Sequence, residues 1–253
     1  MFNEEDDFDL FGDLSQAEAL ELAQRRQSAK ERQDEYFDQL PADASDRSIA
    51  ENRKLFHHRC KRGQFDLHEI VSQVFSPAEC DNILKIVSQL EGDKGWTTKR
   101  HSAFPTTDIP LLMDKNGPLW YLVEQVKTRL FGKLARHFGF QPSDLSFRDF
   151  FLVKYSADAQ AGLAMHTDGC LISFNILINT PNEFEGGGTY FASTNEVVHI
   201  QQGDCVFHSA KIMHQGMPVS LGQRFILVGF VDTVDTVAKD KLQQKRNRSN
   251  LRS

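Results

Sequence analysis

Two spacings of apolar residues divide the chain near residue 144. Before it, apolar positions recur at helical intervals. In "FSPAECDNILKIVSQLE", Ala78, Ile83, Ile86, Val87 and Leu90 mark one helix face. Ser76, Pro77 and Glu79 supply an N-cap, a first-turn proline and a capping-box carboxylate. A second helix is predicted from Pro118 to about Phe138, with Leu119, Leu122, Val123, Val126, Leu130 and Leu134 on its buried face. After Asp144 the period shortens. "FRDFFLVKYS", "CLISFNILIN", "GGTYFAS", "EVVHIQQ", "DCVFHS" and "RFILVGFV" are short runs bounded by Gly, Pro, Asn and Asp, as strands are. Helices first and many short strands afterwards predict an α+β chain, mostly β with flanking helices: a sandwich or jelly roll supported by N-terminal helices.

Residues 1–60 lack a core-forming stripe and read as a charged extension, partly helical or disordered. Within it, "SQAEALELAQRRQSAKERQDEYFDQL" predicts an exposed helix opened by a Ser15–Glu18 capping box, and "PADASDRSIAENR" reads as linker. "FDLF", residues 8–11, is either a short docking peptide or part of a disordered acidic tail. The folded domain is expected over 64–232, its core over 148–232, and residues 233–253 form a basic tail. Hydrophobic residues at 40%, twenty of them phenylalanine, suffice for a sizeable core. The formal charge of −6, with acid concentrated at the N-terminus, argues against nucleic acid as the main partner. Cys60, Cys80, Cys170 and Cys205 stand far apart with no CxxC spacing, so neither a disulfide framework nor a thiolate zinc site is expected. With no apolar leader and no membrane-length run, the expected setting is a reducing compartment, cytoplasmic or nuclear.

The chemistry gathers in "LAMHTDGCLISFNILINT", residues 163–180. His166 and Asp168 stand two apart at the entrance to an apolar strand, and Ser173 and Asn175 put small polar groups on one of its faces. A divalent cation needs a further ligand, and His199, His208 and His214 are available downstream. Arg224 opens the run "RFILVGF"; a guanidinium beside a core strand needs an anion, and a carboxylate gripped by its fork meets that need. Two histidines and one carboxylate make the facial triad of non-haem iron(II) oxygenases, which leaves positions for a chelating 2-oxo acid and oxygen. "EGGGTYF" lacks the Lys-Ser/Thr pair of a phosphate loop, and its glycines predict a tight turn with positive φ.

The ordered set H166-T-D168, "FEGGGTYF" and "GDCVFHSAKIMHQGMPVSLGQRFILVGF" resembles the 2-oxoglutarate- and Fe(II)-dependent dioxygenases of the prolyl 4-hydroxylase and lysyl hydroxylase group. The likeness covers about residues 148–232 and extends more weakly upstream to about residue 65. It implies a double-stranded β-helix and a reaction that decarboxylates 2-oxoglutarate to succinate and CO2. It implies His166, Asp168 and His214 as iron ligands and Arg224 as the anchor of 2-oxoglutarate. Tyr155 and Asn175 match family residues near the co-substrate. Leu177 stands where oxygen-sensing prolyl hydroxylases carry a second tyrosine. Ascorbate is the reductant the resemblance implies.

The expected substrate is a side chain of a protein or peptide, prolyl first. The alternatives are a lysyl, small-molecule or alkylated nucleic-acid substrate, or a non-catalytic binding module. Nucleic-acid dealkylating relatives carry a second arginine six residues beyond the anchor, where this chain has Phe230. The loop from Gly95 to Asn116 is a candidate substrate wall: Trp96 and Phe104 could stack on a proline ring, and Thr97, Thr98, Thr106 and Thr107 could bond an extended backbone.

Overall fold

The computed structural model describes residues 14–90, 96–101 and 103–250. The acidic head with the segment 8–11 therefore lies outside the described residues. The chain divides into two units, residues 1–47 and 48–253. In the first, α1 (Gln16–Asp38) opens on the expected capping box: Ser15 Oγ accepts from the Glu18 N–H at 3.3 Å, and Glu18 accepts from the Ser15 N–H at 2.9 Å. None of its residues is buried, as the lack of an apolar stripe dictates.

The second unit starts at Ser48, not near residue 64. Ser48 and Glu51 form a capping box that opens α2 (Ile49–Lys61). Leu55 and Phe56 are buried, and Phe56 meets the rings of Phe65 and Phe138 at 5.6 and 5.5 Å. Asn52 Nδ2 donates to Asp144 Oδ2 at 2.8 Å, and Arg53 pairs with Asp235 at 2.7 Å. Two adjacent apolar residues in a polar run are enough to dock this helix. The C-terminal segment is likewise ordered into α6 (Val234–Asn250), held by buried Val237 and by Arg148 on Asp240 at 2.9 Å.

The predicted helices form. α3 (Pro77–Gln89) has its Ser76–Glu79 box. The second runs as α4 (Tyr121–Val126), a π-helical turn (Lys127–Phe131) and α5 (Gly132–Phe138), ending on Gly139 at φ 80°. Its six predicted apolar positions are all buried.

Two antiparallel sheets follow. The larger has the order β1 (Glu69–Val71), β9 (Cys205–Ser209), β5 (Ile172–Leu177), β11 (Val219–Thr233), β3 (Leu145–Ser156), β2 (Asp108–Pro110), with β6 (Phe184–Gly186) paired to β11. The smaller has the order β4 (Leu163–His166), β10 (His214–Gly216), β7 (Thr189–Phe191), β8 (Glu196–Val198). Alternation along each strand sends side chains to opposite faces. On the large sheet Phe150, Leu152, Phe174 and Leu227 join the core with the helices. Tyr155, Val153 and Phe151 on β3, with Arg224, Ile226, Val228 and Phe230 on β11, line a cavity on the opposite face. This is the jelly-roll architecture expected from the strand spacing.

Candidate metal centre and its cavity

β4 ends on His166 and β10 begins on His214, directly opposite in register. Asp168 follows two residues later, fixed where its N–H donates to the Ala210 carbonyl at 3.0 Å. One ligand atom from each of His166, Asp168 and His214 lies within 4.8 Å of the others, and all three residues are buried. Each imidazole is oriented by backbone: His166 Nδ1 donates to the Ala164 carbonyl at 2.7 Å and His214 Nδ1 to the Ile212 carbonyl at 3.0 Å. A carbonyl only accepts, so each Nδ1 carries the proton and each Nε2 keeps its lone pair. Those Nε2 atoms sit 3.4 and 3.6 Å from the Asp168 carboxylate. Ser173 Oγ donates to Asp168 Oδ2 at 2.5 Å.

Electrostatics suit a cation. Burial would raise the Asp168 carboxyl, but the adjacent His166 and His214 rings and the Ser173 hydroxyl together hold it below the usual range. Burial pulls His214 down, which keeps it neutral and able to ligate. Burial acts on His166 in the same direction, but the Asp168 carboxylate and the Ala164 carbonyl outweigh it and raise its pKa. Two neutral nitrogens and one carboxylate oxygen, preset by second contacts, fit Fe(II).

His208, the rival ligand, lies beside the centre without joining it. Its ring is 4.5 Å from that of His214, its Nδ1 donates to the Ser209 carbonyl at 2.9 Å, and burial pushes its pKa down to about 3. His199 lines a separate small pocket near Phe184.

The cavity around the triad measures about 370 Å³. Arg224, Tyr155 and Asn175 all line it. Arg224 is 3% exposed, and among the described residues no carboxylate pairs with it; burial lowers its pKa against the pull of Tyr155. Burial also raises the Tyr155 hydroxyl to about 12, so that group remains a neutral hydrogen-bonding partner. Asn175 Nδ2 lies 3.4 Å from Thr189 Oγ1. Gly186, Gly187 and Gly188 all have positive φ, as the triple glycine predicts, and a Cβ on Gly187 would stand 3.0 Å from Arg224 Cδ.

At the other end the cavity has features that the sequence did not reveal. Arg100 Nη1 donates to Asp108 Oδ1 at 2.6 Å and Nη2 bonds Asp149 Oδ2. Thr106 Oγ1 donates to Asp108 Oδ2 at 2.6 Å, a side-chain contact in place of the expected substrate backbone. His101 Nε2 is buried without a hydrogen bond. Phe104 lies over His166, ring centroids 4.8 Å apart, and Phe151 meets Phe230 at 5.4 Å. Trp96 is elsewhere, against Phe225 and under the Lys154 ammonium, outside the cavity lining. Arg100 and Asp149 are far apart in sequence, and neither carries a spacing signal.

No family model matches the chain. Over 177 residues it is 27% identical to human procollagen-lysine,2-oxoglutarate 5-dioxygenase 2, covering 63% of this chain and 23% of that protein. Over 189 residues it is 27% identical to a procollagen lysyl hydroxylase and glycosyltransferase of Acanthamoeba polyphaga mimivirus, covering 66% and 20%. The chain thus matches about a quarter or less of the length of these curated relatives. A crystal structure of a Pseudomonas putida prolyl-4-hydroxylase shares the fold, with a TM-score of 0.51 at 11% identity over 72% of this chain and 98% of that one. The chain is thus similar in sequence, over about two thirds of its length, to procollagen lysyl hydroxylases, and it shares the fold of a prolyl-4-hydroxylase.

Proposed function

We propose that the chain hydroxylates a side chain of a protein or peptide and decarboxylates 2-oxoglutarate to succinate and CO2 in the same cycle. The observation that carries this reading is one cavity lined both by the three ligands and by a buried Arg224 that pairs with no carboxylate among the described residues. His166 Nε2, His214 Nε2 and an Asp168 oxygen would hold Fe(II), which supplies oxygen binding and redox chemistry. Arg224 receives the distal carboxylate of 2-oxoglutarate, because a buried guanidinium gains most from a charge-assisted pair. Tyr155 and Asn175 orient the co-substrate from the cavity wall. The oriented imidazoles and Ser173 keep the ligand set in place before metal arrives. Ascorbate is the reductant expected to restore Fe(II) after uncoupled turnover.

For the residue that is hydroxylated, the rings of Phe104, Phe151 and Phe230 suit a prolyl ring, which stacks on aromatic faces. The same rings suit the aliphatic stem of a lysyl side chain, and that second reading is favoured by relatives named for procollagen lysine.

The test compares Fe(II) affinity and 2-oxoglutarate turnover in three variants. Asp168→Ala and His214→Ala are expected to lose tight Fe(II) binding and turnover together. His208→Ala should keep most of its affinity for Fe(II). Retention of the metal by His214→Ala and its loss from His208→Ala would overturn the ligand assignment.

A further inference from the structure

Asp168 is carried by residues 167–171, a stretch that is neither strand nor helix. Backbone bonds tie it inward. The Asp168 N–H donates to the Ala210 carbonyl at 3.0 Å, the Ala210 N–H to the Leu171 carbonyl at 2.9 Å, and the Leu171 N–H to the Val231 carbonyl at 3.2 Å. Gly169, between them, is exposed. A Cβ built on it would meet nothing within 4 Å, so packing does not hold this point of the chain. A guanidinium does: the Gly169 carbonyl accepts from Arg148 Nη1.

Arg148 is itself placed by the fold. β3 pairs with β11 as Asp149 on Phe230 and next as Phe147 on Val231, so Arg148 is the extra residue of a β-bulge, without a partner on β11. A bulge interrupts the alternation of a strand and re-aims the side chain it adds. The side chain is 39% exposed, and a free arginine there would lose rotamer freedom on making a single bond. Two acids offset that cost. Arg148 Nη2 lies 2.9 Å from Asp240 on α6, and Nη1 lies 3.8 Å from Asp232 near the end of β11. α6 is fastened in turn by Arg53, which bonds Asp235 and Thr236, and by buried Val237. The segment that reads in sequence as a basic tail thus reaches, through one guanidinium, the carbonyl next to a metal ligand.

We propose that Arg148 is a positioning residue of the metal centre: it ties α6 to the outer side of residues 167–171 and so holds Asp168 where its carboxylate meets both imidazoles. Ser173 fixes the carboxylate itself, and Arg148 fixes the backbone that carries it. Asp240 orients Arg148. The guanidinium is not part of the cavity lining, so it acts on the metal only through Asp168. This rests on the ligand assignment above, which the Asp168→Ala and His214→Ala variants test separately.

The experiment uses the full chain and three readouts: the melting temperature, the Fe(II) dissociation constant without oxygen, and hydrogen exchange of the Asp168 and Leu171 amides in the metal-free protein. Arg148→Gln is expected to weaken Fe(II) binding roughly three- to tenfold, less than the ten- to hundredfold usual for a contact on the ligand itself. It should also speed exchange at both amides. Asp240→Asn should do the same to a smaller extent. Arg129→Gln is the control for a general loss of stability. Its guanidinium also bonds a backbone carbonyl and a carboxylate, Val74 at 2.9 Å and Glu79 at 2.7 Å, outside the cavity lining. That variant should change the Fe(II) affinity by less than about twofold. Weaker binding and faster exchange are both required of Arg148→Gln, and either one alone overturns the inference. So does an Arg129→Gln that loses as much affinity. Wild-type values in Asp240→Asn overturn the share given to α6. If Arg148→Gln does not fold, Asp240→Asn decides alone by the same two readouts. Exchange in the metal-free chain tests the tie without iron, so its failure is distinct from failure of the ligand assignment.

Discussion

Arg224 and Arg100 line one cavity and pose opposite problems. Arg224 is buried with no carboxylate beside it among the described residues. Arg100 bonds both Asp108 and Asp149, and His101 Nε2 lies 3.7 and 3.9 Å from them. The same side chain therefore leaves one part of the cavity wall seeking an anion, while at another it is already held by two carboxylates behind the wall, with His101 beside them. Burying a charge is costly unless a partner offsets it, so the missing partner at Arg224 indicates what the ligand must bring.

The largest effect that would test this contrast lies at Arg224. Arg224→Gln is expected to raise the KM for 2-oxoglutarate tens- to thousands-fold, since a shielded charge-assisted pair contributes on the order of 2–5 kcal/mol. Its melting temperature without 2-oxoglutarate should hold or rise, because the substitution removes a buried charge that has no protein partner. An unchanged KM would remove Arg224 from the co-substrate site and break the comparison.

Arg100→Gln should show the reverse pattern. It strands two carboxylates, and breaking such a buried pair costs up to about 3–5 kcal/mol. Arg100 and Asp149 retain 14% and 21% side-chain exposure, so a loss of about 2–3 kcal/mol in denaturant melts is the expected size after solvent screening. The KM for 2-oxoglutarate should change by less than about threefold, because the guanidinium lies at the far end from Arg224. A fully stable Arg100→Gln would mean that the acids are relieved by something other than Arg100.

The two ends also differ in how legible they are in sequence. The Arg224 end is local: one cation opens an apolar run, and the HxD pair, the triple glycine and His214 fall in a fixed order along adjacent strands. Arg224 announces a chemical demand at its own position, whereas Tyr155 and Asn175 were named through the resemblance; all three line one cavity. The Arg100 end is made by tertiary contact. Asp149 lies within β3 in "FRDFF", where a charge reads as a solvent-facing residue. Arg100 belongs to "KRH" in a polar loop, and only the pairing of β2 with β3 brings them together. The helix α2 was missed for a similar reason. Leu55 and Phe56 are a minority among charged neighbours, and no periodic stripe shows that they face a ring cluster. Long-range pairing fixes both features, and periodicity reports only local order.

The smallest expected effect is the most direct measure of the imbalance at the Arg100 end, and it is a pH dependence. An acid whose pKa is lower in the folded chain contributes stability above its unfolded pKa and loses it on acidification. Asp149 is displaced the other way, raised by burial in spite of Arg100. In the folded chain it takes up its proton before the unfolded chain does, so its ionised form detracts from stability at neutral pH. That cost fades as pH falls through the raised value and is gone below the ordinary value of 3.8. Asp149→Asn has no such titration. The stability of the wild type minus that of Asp149→Asn should therefore rise as pH falls from 7 toward about 4, a difference that cancels the protonation of carboxylates common to both proteins. Parallel denaturant melts across that range measure the difference. A difference that falls on acidification would show Asp149 fully compensated by Arg100 and His101 in the free chain, leaving Arg224 as the group whose burial calls for a partner.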